Sequence, residues 1–473
     1  MPASANIPPI VLPFVSNRAK VALDLVIPLN SYFLLDSQLL TDLKVEKFVD
    51  EECIPAYTLF EAQLGHGESR WATKPAILEK LKQKARKLGL WNMFLSQGHD
   101  AGFSNVEYAL MAEYLGKSPI ASEATNNSAP DTGNMELLLK YGTKAQKQQW
   151  LHPLMEGTIR SAFLMTEPDV ASSDAQNIQC EIKREGNEYV LNGTKWWSSG
   201  AGHPNCRLFI VMGKDVTASP AHNHGQHSIL LVPASAPGVT VHRMLSVFGY
   251  DDAPHGHGHI MLKNVRVPAS NIVLGQGRGF EIVQGRLGPG RLHHAMRTVG
   301  AAESALEWMI VRVGDQKKQT FGQPLSSHGV IREWVANSRI EIDAARMTVL
   351  NAAIKIDQMG SKAALREIGI AKVCVPRAAL KVIDYAIQAW GAAGVCQDTP
   401  LPRLWASTRT MRIVDGPDEV HLQQMGRREI ERVGEALGEK LRLQLLKSNE
   451  VMLSFKGLSS SGNSTKSPAK NKL

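Results

Sequence analysis

The stretch VDGPDEVH, residues 414–421, sets an Asp-Gly-Pro turn ahead of two further carboxylates in an otherwise helical, Arg-rich C-terminal region. Asp415 could be a helix cap, with the helix opening at Pro417, or a base held at the edge of a buried site. Position alone does not decide. Three other stretches carry chemistry-bearing residues. FLMTEPDVASSDAQNI (163–178) follows an apolar run and can offer hydroxyls and free backbone N–H groups to a polar cofactor edge or a phosphate. It can equally be a Ser/Asp-rich surface loop. LGQGRGFEI (274–282) is a Gly-rich turn entering a helix. It lacks the βαβ setting and the later acidic residue of a dinucleotide fingerprint, so a tight turn is the expectation. PHGHGH spaces His255, His257 and His259 on one face if extended. Three imidazoles can bind zinc, but no fourth ligand or HExxH motif accompanies them; a strand-edge loop near a ligand is preferred.

The elements that must position these residues fall into three textures. Residues 38–158 read as helices, with TKAQ (143–146) fitting a capping box. From about 160 to 270 the texture is strand. EYVLNGTKWW signals a hairpin turning at Asn192–Gly193, and RLFIVMG, HSILLVP and IMLKNVRVP are further strands. Long helices return from about 280 to 446, where Ile331, Trp334, Val335, Ile342 and Ala345 fall on one face. The reading is an α+β protein: an extension at 1–37, a helical domain at 38–158, a β domain at 159–270, a helical domain at 271–448 and a disordered Ser/Gly/Lys-rich tail at 449–473. No internal repeat is visible.

Composition bounds the function. The 473 residues are 43% hydrophobic and 21% charged, ordinary for a globular chain. Five scattered cysteines show no metal-ligand spacing and point to a reducing compartment. No apolar run approaches the ~20 residues of a membrane span. The net charge of +8 comes partly from the tail and is otherwise spread along helices without interleaved aromatics. Nucleic acid is therefore not the expected partner, whereas an anionic small molecule or cofactor suits the surplus.

FLMTEP, NGTKWWSSGAG (192–202), the TFG of 320–322 and AIQAWGAAGV (386–395) occur in this order within the α–β–α pattern, and together they resemble the acyl-CoA dehydrogenase family over about residues 40–440. APDTGNMELLLKYGT, GYDDAPHGHGHI and QGRLGPGRLHH look closest to a branch often fused to an aminoglycoside-phosphotransferase-like kinase domain; no such stretch lies in these 473 residues. The resemblance implies a helical N-terminal domain, a middle β-sheet or barrel, a C-terminal four-helix bundle and bound FAD. It implies an α,β-desaturation of an acyl-CoA thioester to a trans-2-enoyl-CoA. From Gln388 to Asp415 the chain lies on the family pattern without a gap, which puts Asp415 where most members carry the Glu that removes the α-proton. A second group carries the base on an earlier helix, at the position of Gly290 here. Burial beside apolar substrate would raise the carboxyl and strengthen it as a base.

The resemblance also implies cofactor contacts. Phe163, Met165 and Thr166 would lie along the flavin edge, with Ser172 and Ser173 near phosphate or substrate, Trp197 against the isoalloxazine and Ser199 near N5. Lys318, Thr320 and Phe321, with Gln388, Gly391 and Ala392, would meet the pyrophosphate or adenosine across a subunit boundary. Arg291 and Gly416 would line the acyl and CoA cavity. The pattern departs at Lys318, usually Arg, which loses a bidentate fork, at Gly329, often Gln, and at Glu419, where many members have Gln near the flavin. The implied partners are an acyl-CoA, an electron acceptor (electron-transfer flavoprotein or O₂) and a second copy in a homodimer or homotetramer. An acyl-CoA oxidase, a nitroalkane-oxidase-like flavoenzyme and a non-catalytic flavin- or DNA-binding relative are the alternatives. The C-terminal NKL, a variant of the S-K-L signal, favours the peroxisome, with mitochondrion or cytoplasm as alternatives.

Overall fold

Helices open the chain where side chains cap them. In the computed structural model, which describes residues 9–16, 19, 45–95, 102–218 and 225–459, the N-terminal region contains α1 (Ile54–Leu64), α2 (Ala76–Lys87), α3 (Asn105–Leu115) and α4 (Asp131–Tyr141). Ser104 Oγ accepts from the Glu107 N–H and the Glu107 carboxylate accepts from the Ser104 N–H, a complete capping box on α3. The box expected at Thr143–Gln146 is present too. There the Gln146 amide also donates to the carbonyls of Ser270 and Ile272, at 2.9 Å each, tying the helices to the end of the sheet.

The middle region is one seven-stranded sheet: β1 (Arg160–Leu164), β2 (Glu181–Glu185), β3 (Glu188–Ser199), β4 (Cys206–Asp215), β5 (His227–Pro233), β6 (Val239–Leu245) and β7 (His257–Pro268). β4 pairs in parallel with β1 through Cys206–Val211 and with β2 through Lys214–Asp215, and antiparallel with β5; β2, β3, β7 and β6 continue antiparallel. Period-two alternation divides the sheet between two cores. Leu208, Ile210 and Met212 of β4 join the helical core, while Phe209 and Val211 join a second core with Leu230, Val232 and Ile260. Both faces of the central strands are buried, which explains their nearly continuous apolar sequence.

The hairpin expected at Asn192–Gly193 is not there. β3 runs through both residues, and the chain turns instead at Gly186–Asn187, with φ +62° at Gly186 in the first central position of a two-residue turn. Asn192 and Gly193 mark a bulge. The Asn192 side chain accepts from the Asn264 N–H at 2.7 Å, and a Cβ on Gly193 would stand 2.8 Å from Cys180 Cα.

After the Gly-rich turn, α5 (Gly279–Gly314) starts as expected. A small hairpin, β8 (Gln319–Thr320) and β9 (Gln323–Pro324), leads to α6 (Gly329–Met359), α7 (Leu365–Trp390) and α8 (Leu401–Thr410). α5, α6 and α7 pack on one another, with α8 against α7 and α5. Ile331, Ile342 and Ala345 are buried, and Trp334 and Val335 pack beside them, as the periodicity predicts. α3 crosses α5 at backbone contact: a Cβ on Gly300 would stand 1.8 Å from the Glu113 carbonyl oxygen and one on Gly116 2.0 Å from that of Arg297. Next to this crossing, buried Arg346 holds Glu113 (2.6 Å) and Glu303 (3.1 Å).

The chain up to Asp418 forms one compact unit and Glu419 onward a second. The second is the helix α9 (Asp418–Ser459), which exposes Ile430, Leu441, Leu445, Val451, Leu453 and Phe455. The tail expected from residue 449 is therefore helical to Ser459. Asn449 to Phe455 contains no Gly or Pro, and extending a helix needs no new nucleus. The terminal NKL and most of the 1–37 extension lie outside the described residues. Among the described residues no helix is long and apolar enough to cross a membrane.

Candidate active site

α8 ends in the turn that carries Asp415. Asp415 has φ +55° and Gly416 φ +100°, and α9 begins at Asp418 with Pro417 as the residue before it. Asp415 is thus not the cap. Positive φ at a non-glycine residue is sparsely populated and needs surrounding support. That support is visible. Lys372 on α7 donates to the carbonyls of Gly416 (3.2 Å) and Met411, Arg291 on α5 donates to the Asp415 carbonyl at 3.0 Å, and the buried Asp418 carboxylate accepts from Arg377 (2.9 Å) and Arg412 (2.8 Å).

The Asp415 carboxylate lies 3.8 Å from His294 Nε2. Burial pushes this carboxyl up, but its surroundings, the His294 ring with the cationic Arg286, Arg291 and Lys372, outweigh it and hold it below its ordinary value. His294 is itself pushed down to about 4 by burial and Arg297, so it is neutral at neutral pH and the arginines and Lys372 carry the effect. Burial raises Glu136 to about 8 against the pull of Arg286, so Glu136 is largely protonated and leaves the Arg286 charge to Asp415. Without substrate, the cations around Asp415 therefore outweigh burial and favour its ionised form. A Cβ on Gly290, one turn before His294, would meet nothing within 4 Å.

Arg286 connects this turn to the sheet. Its guanidinium covers the Phe163 ring at 4.1 Å and donates to Asn134 Oδ1 at 3.1 Å. Beyond Phe163, the 164–178 loop is pinned from beneath. The Glu167 carboxylate accepts from the N–H groups of Gln179 and Cys180 and from Lys195, a side chain with no exposed surface whose ammonium also donates to the Met165 carbonyl at 2.9 Å. Ser172 Oγ accepts from the Glu167 N–H, so that hydroxyl serves the loop rather than a ligand. Ser173 is exposed, and no hydrogen bond from the Thr166 or Ser173 hydroxyl is made among the described residues. Next door, β3 is bulged between Lys195 and Ser198, and Trp197, at φ +51° and 41% exposed, stands out of the bulge. Ser199 follows, bonded to His257 Nδ1 at 2.9 Å.

The remaining predicted residues lie elsewhere. Gln388, Gly391 and Ala392 are exposed at the end of α7, where the Ala389 carbonyl accepts from Arg312 and Trp390 Nε1 donates to the Trp308 carbonyl. Lys318, Thr320 and Phe321 follow the C-terminal end of α5, with Phe321 98% exposed and Thr320 Oγ1 3.0 Å from His328 Nε2. From His294 to Arg312 the helix rises roughly 27 Å. One chain therefore holds the predicted residues as two separate clusters. Glu419 opens the second unit and is exposed.

His294, Arg286, Lys372, Asp252 and Arg403 are missed by sequence reasoning. The only local signal is RLHH, which sets His294 one turn after Gly290. Among the described residues no three His, Cys, Asp or Glu side chains are placed to hold a metal. His257 instead bonds Ser199 and Asp252, and His259 packs edge-on against His242 and Trp196.

Comparison with known proteins follows the same three regions. The chain matches the acyl-CoA dehydrogenase N-terminal domain over residues 36–158, the middle domain over 162–265 and the C-terminal domain over 277–430. It is 53% identical over 392 residues to acyl-CoA dehydrogenase family member 11 of Gallus gallus, covering 82% of this chain and 50% of that protein. It is 54% identical over 361 residues to FadE2 of Mycobacterium tuberculosis, described as an acyl-CoA dehydrogenase, covering 76% of this chain and 87% of the other. Butyryl-CoA dehydrogenase of Megasphaera elsdenii superposes with a TM-score of 0.68 at 26% identity, covering 84% of this chain and 99% of that one. The chain spans about half the length of the family member 11 relatives.

Proposed function

Because this chain belongs to the acyl-CoA dehydrogenase family, we propose that it is an FAD-dependent oxidoreductase that desaturates an acyl-CoA thioester to the trans-2-enoyl-CoA, with Asp415 as the base. The observation that carries this reading is the ionised, partly buried Asp415 carboxylate on a braced turn beside His294, with Arg291 bound to its own carbonyl.

The residues present fit a flavin. Trp197 offers a half-open indole face on a bulge, and among the described residues Trp196 Nε1 and Ser198 Oγ are buried without hydrogen bonds. Met165 and Thr166 would hold the pyrimidine edge and Trp197 the ring face. When bound, FAD supplies the acceptor for the β-hydride. The protein supplies geometry and charge. Asp415 takes the α-proton, and its backbone N–H can polarise the thioester carbonyl, because Arg291 and Lys372 fix the turn from its carbonyl side. The neutral His294 adds no positive charge to stabilise the ionised base further, which leaves it competent to accept a proton.

The separation of the two clusters along α5 supports a second copy contributing the outer cluster to the cofactor, so a homodimer, or a tetramer of dimers, is the assembly this reading takes. The fully exposed Phe321 and the apolar surface of α9 support association. Electrons would leave to an electron-transfer flavoprotein or to O₂, and NKL favours a peroxisomal setting.

Anaerobic titration of the purified yellow protein against a panel of saturated acyl-CoA thioesters tests the reading. Bleaching of the flavin with formation of the enoyl-CoA is expected. A colourless protein that gains no FAD on reconstitution, or a loaded one that no thioester bleaches, would contradict it.

A further inference from the structure

Ser199 and His257 face each other as a cross-strand pair of β3 and β7, and His257 begins a chain of three hydrogen bonds. Ser199 Oγ lies 2.9 Å from His257 Nδ1, His257 Nε2 lies 3.2 Å from Asp252 Oδ2, and Asp252 Oδ1 accepts from Arg403 Nη2 at 3.0 Å. Arg403 sits on α8, is fixed by Tyr57 and Glu61 of α1, and has no acceptor atom. With one proton on the ring, the direction of every bond follows. Arg403 donates to Asp252. The carboxylate, which burial pushes up but His257 and Arg403 hold below its ordinary value, only accepts. His257 must therefore carry its proton on Nε2 to donate to Asp252. In the neutral ring this makes Nδ1 an acceptor, and the Ser199 hydroxyl proton is committed to it.

We propose that His257 is a positioning residue that commits the Ser199 proton, so that Ser199 presents lone pairs rather than an O–H to the flavin. This rests on the reading of Ser199 as the residue beside flavin N5. Oxidised flavin offers an acceptor at N5 and reduced flavin an N–H donor. A serine that can only accept matches the reduced form. The chain from Arg403 to Ser199 therefore favours reduction.

Asp252→Asn reverses the polarity. Arg403, a donor only, keeps the amide oxygen, so the amide NH₂ faces His257 Nε2. The ring must then carry its proton on Nδ1, donate to Ser199 and release the Ser199 O–H towards N5. The two-electron midpoint potential of the FAD-loaded protein should fall by about 30 mV, a tenfold shift towards the oxidised form. The sign is diagnostic, because loss of a nearby negative charge by itself would raise the potential. His257→Phe and Ser199→Ala should give smaller falls, and Asp252→Asn should add no further fall in the Ser199→Ala background. A rise on Asp252→Asn, or a shift of equal size with and without Ser199, would overturn the proposal while leaving the FAD reading intact. Failure of the wild-type protein to bind FAD would overturn both.

Discussion

The first half of α5 and the segments gathered beyond its C-terminal end are put to opposite use. Along its first half Arg286, Arg291 and His294 turn inward, buried or half-buried, around a carboxylate that the two arginines, with Lys372 of α7, keep ionised. Beyond its end, Lys318, Phe321, Gln388 and Ala392 face solvent. A site for chemistry needs its charges fixed before the substrate arrives, and it obtains them from neighbours within the chain. A surface that grips a cofactor across an interface stays open until the interface forms. Between them, the Gly116–Gly300 crossing and the Arg346 cluster hold α5 in a single placement against α3.

That separation can be broken. Glu113→Ala removes the buried carboxylate that Arg346 grips with two nitrogens, and should cost about 3–5 kcal/mol of stability, read by denaturant unfolding. A loss below 1 kcal/mol would mean that the crossing does not depend on the ion cluster. Lys372→Met removes the donor to Met411 and Gly416 and should cost roughly 1.5–3 kcal/mol. Turnover should fall with it, because the Asp415 turn loses its brace, while FAD content stays unchanged. Loss of FAD in parallel with activity would place Lys372 in the wrong role.

Acidity gives a third handle. The Asp415 carboxyl lies below its unfolded value, so its contribution to stability is present above that value and is lost as pH falls through the folded one. The base should be ready in the free enzyme, and kcat/KM should show no base ionisation between about pH 5 and 7. An apparent pKa in that window that disappears in Asp415→Asn would contradict the field of the arginines and Lys372. The smallest effect belongs to the outer end. Lys318→Arg restores a bidentate fork and should tighten FAD by a few-fold without altering the rate of flavin reduction. Unchanged FAD retention would remove Lys318 from the phosphate contact.

How far the sequence spoke varies with the range of the interactions involved. The α–β–α order was legible because apolar periodicity changes at about residue 160 and again near 280. The capping box at Thr143 and the face of α6 were legible because they depend on neighbours within a few residues. Asn192–Gly193 misled because a bulge and a tight turn both call for the same residue pair, and only the pairing of β3 with β7 distinguishes them. That the helix continues past residue 449 was missed because a polar, Ser/Lys-rich composition says little about how far a helix propagates. Asp415 was ambiguous locally and became interpretable through resemblance. Its surroundings, His294 from α5 and Lys372 from α7, are set by packing that no local pattern encodes.

The central claim is that Asp415 removes the substrate proton. Rapid anaerobic mixing of FAD-loaded Asp415→Asn with a saturated acyl-CoA that bleaches the wild type tests it most directly. Asn keeps the size of the side chain, so fold and FAD should be retained. The account predicts bleaching slowed by at least about 10²–10⁴-fold, the usual cost of losing a general base. Bleaching at the wild-type rate would contradict it and leave this site without its base.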